Sequence, residues 1–184
     1  DGLEDIFIGG ARGFSAALYL QQSNGKFIQS KQEAFRLDSN YEDVCAVMAD
    51  VNKDGLQDLV VGSGGNEYFG KDKHMMPRVY LNQTSGQFKV LKDAIPIYNQ
   101  SSSIIARDFN QDGALDLLIT SRVTAMDYGA PTDSYVLYNT GDGHFKNVTA
   151  SVAPDLIGTG LITNAIEMDI NKDGTMEILL TYQW

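Results

Sequence analysis

A single cysteine, Cys45, stands among 184 residues, so an internal disulfide and a thiolate-built zinc site are both excluded. It lies in the apolar run 44–49 and is expected to behave as a small buried hydrophobe. Basic residues are also few: 14 Lys and Arg face 24 Asp and Glu, for a net charge of −10. A field of that sign repels phosphates, so neither nucleic acid nor an anionic membrane surface is expected as a partner. No uninterrupted apolar run approaches the roughly 18 residues of a membrane helix, so this segment is not expected to insert into a bilayer. Histidine is limited to His74 and His144, with no HExxH and no paired-His spacing. The stretch GSGG at 62–65 lacks the third glycine of a GxGxxG loop, because Glu67 stands there. Neither GxxxxGK followed by Ser or Thr nor GxSxG occurs. Phosphate cradling and a serine nucleophile are therefore unsupported, and no catalytic residue is assigned.

What is present is ordinary globular usage, 43% apolar and 21% charged, and an internal repeat. Three segments align without gaps: DVNKDGLQD at 50–58, DFNQDGALD at 108–116 and DINKDGTME at 169–177. They begin 58 and 61 residues apart. A truncated fourth copy, DGLEDIFIGG from Asp1, matches DGLQDLVVGSGG from Asp54, 53 residues on. The sequence begins at Asp1 without an initiator Met or secretory leader, which reads as a processed product or a cut piece.

Each repeat carries a second recurring piece: LYLQQSNGKF ending at Phe27, VYLNQTSGQF at Phe88 and VLYNTGDGHF at Phe145. Apolar and aromatic residues on either side of a Gly-containing turn predict a β-hairpin. Runs 45–49, 104–106 and 165–168 enter the acidic loops as strands, and 59–61, 117–119 and 178–180 leave them. Each complete repeat thus supplies four strands, two around the acidic loop and two in the hairpin. The fold class expected is all-β, built of propeller blades of four antiparallel strands. The count reaches 13 strands, too few to close, so the chain reads as part of a larger propeller of about seven blades. The divisions are a partial blade at 1–30, blades at 41–92 and 103–150, and a partial blade at 162–184.

The spacing DxNxDGxx(D/E) sets oxygen side chains at loop positions one, three, five and nine, with Gly at six permitting the reversal that presents the position-seven carbonyl. Several anionic oxygens and no nitrogen or sulfur suit Ca²⁺ better than Mg²⁺ or Zn²⁺. At an effective dielectric of about 20, each carboxylate pair ~5 Å apart costs on the order of 3 kcal/mol without a cation, so folding and calcium are expected to be coupled. An EF-hand is excluded, because position twelve is Val61, Ile119 or Leu180, inside strand-like runs, where a bidentate Glu is required. One DxNxDG could be a hydrogen-bonded Asx turn; three copies with an acid again at position nine favour about three calcium sites.

These loops, the strand ends such as LVVGSGG at 59–65 and the Phe hairpins resemble the FG-GAP/VCBS repeat of integrin α-chain-type β-propellers, over almost the whole chain. SGGNEY at 63–68 and the closing TYQW are similar to cartilage acidic protein-type VCBS-repeat proteins. The resemblance implies calcium held by Asp50, Asn52, Asp54 and Asp58; by Asp108, Asn110, Asp112 and Asp116; and by Asp169, Asn171, Asp173 and, departing from pattern, Glu177. The position-seven carbonyls would be those of Leu56, Ala114 and Thr175. It further implies a cell-surface, secreted or periplasmic setting and a noncatalytic module engaging protein or carbohydrate. The alternative is part of a propeller enzyme, such as a polysaccharide lyase with structural calcium.

Strand parity places the acidic loops and hairpin turns on one rim and the long connections 63–77, 92–102, 121–133 and 151–163 on the other. Loops on a rigid scaffold are where binding concentrates. Ligand-binding candidates there are Asn66, Glu67, Tyr68, Phe69, Arg122, Asp127 and Tyr128. The competing expectation is that the aromatics tuck against blade edges and the charges are only solvated. Sequons at Asn82, Asn99 and Asn147 permit glycosylation in a glycosylating host.

Overall fold

Strands form where the sequence alternates or concentrates β-branched and aromatic residues, and each Gly-containing turn reverses the chain. The computed structural model describes residues 2–183, so Asp1 of the truncated copy and Trp184 of TYQW lie outside the described residues. Among these there are β1 Ile6–Ile8, β2 Ala17–Gln21, β3 Phe27–Ser30, β4 Asp43–Ala49, β5 Asp58–Ser63, β6 Arg78–Asn82 and β7 Phe88–Leu91. They continue as β8 Ser101–Arg107, β9 Asp116–Ser121, β10 Tyr135–Asn139, β11 Phe145–Asn147, β12 Ile162–Met168 and β13 Glu177–Tyr182. Sequence neighbours pair antiparallel in four open sheets: β1-β2-β3, β4-β5-β6-β7, β8-β9-β10-β11 and β12-β13. This is the all-β, blade-like architecture the repeat predicts.

The period of two along each strand decides which neighbouring sheet a side chain meets. In β5, Leu59 and Val61 pack toward the first sheet with Leu18, Phe35, Tyr80 and Phe88. Val60, between them, packs toward the third sheet with Ile104, Leu117, Ile119 and Leu137. In β9 the alternation recurs, Leu118 joining Ile105, Val136 and Ala165 against the last sheet. Because both faces are covered, β5 and β9 are buried along their whole length. That explains why the centre of each, 59–61 and 117–119, reads as a continuous apolar run.

Gly62, in β5, lies against Ser101 of β8 in the third sheet. A Cβ there would stand 2.5 Å from Cys45 Sγ and 2.6 Å from Ser101 Cβ. Gly62→Ala is expected to destabilise by about 1–3 kcal/mol, the usual cost of overpacking, read from urea unfolding. Cys45 itself is partly buried and packs against the core between the second and third sheets. Burial pushes its thiol up to about 12, so it is inert at neutral pH.

Two short helices were not expected from the sequence, α1 Glu33–Leu37 and α2 Thr149–Val152. In α1, Phe35 is 2% exposed and meets Phe7, Tyr80 and Phe88 with ring centroids 5.6, 5.2 and 5.7 Å away. The helix thus plugs the space between the first two sheets. No helix among the described residues is long and apolar enough to cross a membrane. Of the sequons, Asn99 is buried and donates through Nδ2 to Ser121 Oγ at 3.0 Å, which removes it as a glycan acceptor.

Candidate functional site

Each acidic loop joins the first two strands of its sheet, and the three loops share one set of hydrogen bonds. At position one, Asp50, Asp108 and Asp169 accept through one oxygen from the N–H of position five at 3.2, 3.1 and 3.1 Å. Their other oxygen accepts from Gly55, Gly113 or Gly174 at 2.9, 2.8 and 3.0 Å. The amide oxygens of Asn52, Asn110 and Asn171 accept from the same position-five N–H at 3.1, 2.9 and 2.9 Å. Their Nδ2 donates to Asp54, Asp112 or Asp173 at 2.9, 2.8 and 2.9 Å. The remaining oxygen of position five accepts from the N–H of Leu56, Ala114 or Thr175. Three oxygen-bearing side chains are thereby drawn around one backbone N–H. Glycine at six has φ of +85°, +83° and +88°, a region costly for any residue with a Cβ. The N–H of Ala114, then Asn110, holds Asp112 below the usual carboxylate range, and the N–H of Thr175, then Asn171, does the same for Asp173.

Position nine is placed differently. Asp58 and Asp116 are fully buried. Asp58 accepts from Val51 N at 3.1 Å and from Asn82 N at 2.8 Å, so it ties the loop to β6 as well as to its own strand. Asp116 repeats this with Phe109 N at 3.0 Å and Asn139 N at 2.8 Å. In the first sheet Asp5 accepts from Gln21 N at 2.9 Å. Glu177 accepts from Ile170 N at 2.8 Å, and its sheet has no third strand among the described residues to engage. The acid at position nine is therefore a strand clamp in its own right; of its hairpin partners, the sequence marks Asn82 only as a sequon and gives no sign of Asn139. Asn139 also donates through Nδ2 to Val51 O and Leu115 O, at 2.8 and 2.9 Å, fastening the third sheet to the loop of the second.

The donor set still fits a hard cation. Burial first, with Asp54 and Asp50 adding to it, raises Asp58 above the usual carboxylate range; burial does the same for Asp116, with Asp112 adding. A divalent ion relieves such crowding. As the loops stand, no group of three or more His, Cys, Asp or Glu among the described residues is placed to hold a metal. The oxygens are turned instead onto backbone N–H groups of the loop itself.

On the opposite rim the structure separates the candidates. Asn66, Arg122 and Tyr128 line one cavity of about 560 Å³, together with Gln100, Ser102 and Thr163. Tyr68 does not join them: its ring stacks on His74 at 4.1 Å, and Arg12 lies over the same ring, 5.3 Å from its centroid. His74 in turn lies 4.8 Å from Tyr41, over which Arg78 sits at 4.0 Å. Arg78 is 8% exposed, pairs with Asp43 and donates to Tyr80 Oη at 2.6 Å. This column, invisible in the spacing, anchors loop 63–77. Phe69 is 65% exposed, whereas Glu67 accepts from Asn66 N at 3.1 Å. Asp127 sets a turn by donating its N–H to Thr124 O at 3.1 Å.

The family model described as FG-GAP-like repeat matches residues 1–61 and again 50–119, the two matches sharing the first complete acidic loop. No curated protein matches the chain.

Proposed function

The chain belongs to the FG-GAP-like repeat family, and we propose that it is a noncatalytic, calcium-stabilised β-propeller module that engages a protein or carbohydrate ligand through the rim opposite its acidic loops. The module works outside the cytoplasm, at a cell surface or in a secreted protein. The observation carrying this reading is the repetition of one side-chain arrangement in three loops, with oxygen donors only. Asp50, Asn52, Asp54, the Leu56 carbonyl and Asp58 would hold the first ion, and the corresponding residues at 108–116 and 169–177 the others. Calcium supplies charge that neutralises the grouped carboxylates and fixes the connection between two strands. Three ions would take the net charge from −10 to about −4. The opposite rim, with its long loops on a rigid sheet array, is left to recognition.

Calorimetric titration of the metal-stripped chain tests this. The expected stoichiometry is three Ca²⁺ per chain, falling by one in each of Asp54→Ala, Asp112→Ala and Asp173→Ala. Absence of heat at millimolar calcium would sink the reading.

A further inference from the structure

The cavity on the loop rim lies where the inner strands of three successive sheets converge, with Ser102 from β8 and Thr163 from β12 at its wall. Arg122 is the one charged residue that lines it. In a chain of net charge −10 that is a conspicuous choice. Among the described residues Arg122 is exposed and has no carboxylate within ion-pair distance. Its backbone N–H donates to Gln100 O at 3.0 Å, which fixes the root of the side chain at the cavity. Besides Tyr128, the rest of the polar lining is hydroxyls and amides: Asn66, Gln100, Ser101, Ser102 and Thr163. A Ser or Thr hydroxyl both donates and accepts, the pairing that sugar hydroxyls need. Tyr128 adds a ring that is 65% exposed. Glu42 packs on Gly65 beside the cavity without lining it, and burial, then Glu67, holds its carboxyl above the usual range.

We infer that this cavity binds a carboxylate-bearing saccharide, with Arg122 as its countercharge, the neutral polar residues on its hydroxyls and Tyr128 against a ring face. The inference rests on the loop rim being the ligand face and narrows the ligand to an acidic glycan. A bound saccharide would touch strands of separate repeats, so binding would also brace the sheets against one another.

The test uses the calcium-loaded full chain and an oligosaccharide alternating glucuronate with N-acetylhexosamine, titrated calorimetrically beside its methyl ester and a polyaspartate peptide. Binding of the acid form is expected, with the ester weaker by tenfold or more. Arg122→Gln should weaken the acid form by about tenfold to a hundredfold, as for loss of one charge-assisted hydrogen bond, and Arg122→Lys should restore part of it. Tyr128→Ala should weaken acid and ester alike. Equal binding of acid and ester, with both sensitive to Tyr128→Ala, would overturn the charge assignment and leave the loop rim as the ligand face. Binding of polyaspartate alone would overturn the saccharide in favour of an acidic protein. No binding of any probe at millimolar concentration, or an unchanged Arg122→Gln, would overturn the site, while calcium melts of the same proteins report separately on the acidic loops.

Discussion

Withdrawal of calcium is expected to lower folding stability by about 8 kcal/mol, the sum over three sites that each contribute about 2.7 kcal/mol when free calcium stands a hundredfold above the dissociation constant. The three loops are alike in their hydrogen bonds, so no one of them should carry the whole effect. Domains of ordinary size have only about 5–15 kcal/mol in total, so a chelator should bring the protein near its unfolding threshold. Urea unfolding followed by intrinsic fluorescence, in millimolar calcium and in chelator, measures the difference. A midpoint that does not move would remove calcium from the account of stability. On the proposed reading the metal would act by reversing a repulsion the sequence itself creates, since each complete loop carries three acids within nine residues.

The second large effect separates the buried acid from the exposed ones. Asp58→Ala is expected to cost about 2–4 kcal/mol even in chelator, because the Val51 and Asn82 N–H groups lose their acceptor in a water-free position. Each orphaned donor costs about 1–3 kcal/mol, and removing a buried charge returns part of that. Asp116→Ala should behave alike through Phe109 and Asn139. Asp54→Ala, whose carboxylate is exposed, should change stability only when calcium is present. Unfolding of the three variants in chelator decides the matter: a stability for Asp58→Ala equal to the parent chain would show that the clamp is dispensable.

Much of the fold was legible because a repeat states its architecture several times. Spacing placed the acidic loops between strands and the Gly turns inside hairpins, and β1 to β13 fall where the apolar runs predicted. The burial of 59–61 in β5 and 117–119 in β9 also follows from their unbroken apolar composition, whereas that of Asp58, Ser63, Asp116, Thr120 and Ser121 does not. What spacing could not convey is direction. Asp50 and Asp58 look alike as loop acids, yet Asp50 turns to the backbone of its own loop and Asp58 inward to a strand 24 residues away. Helix α1 escaped notice because five residues give too little periodicity to read, and Phe35 acts through contacts with three separate strands. On the rim, Tyr68 and Tyr128 are equivalent in composition and differ in placement. One is held in a column by His74 and Arg12; the other borders the cavity.

Leu59 and Val60 are chain neighbours whose side chains serve different partners, the first sheet and the third. Cohesion is therefore a property of seams, and among the described residues no sheet possesses a hydrophobic interior of its own. Such a construction grows or shrinks by whole wedges: deleting the second sheet would erase its seams with the first and the third together.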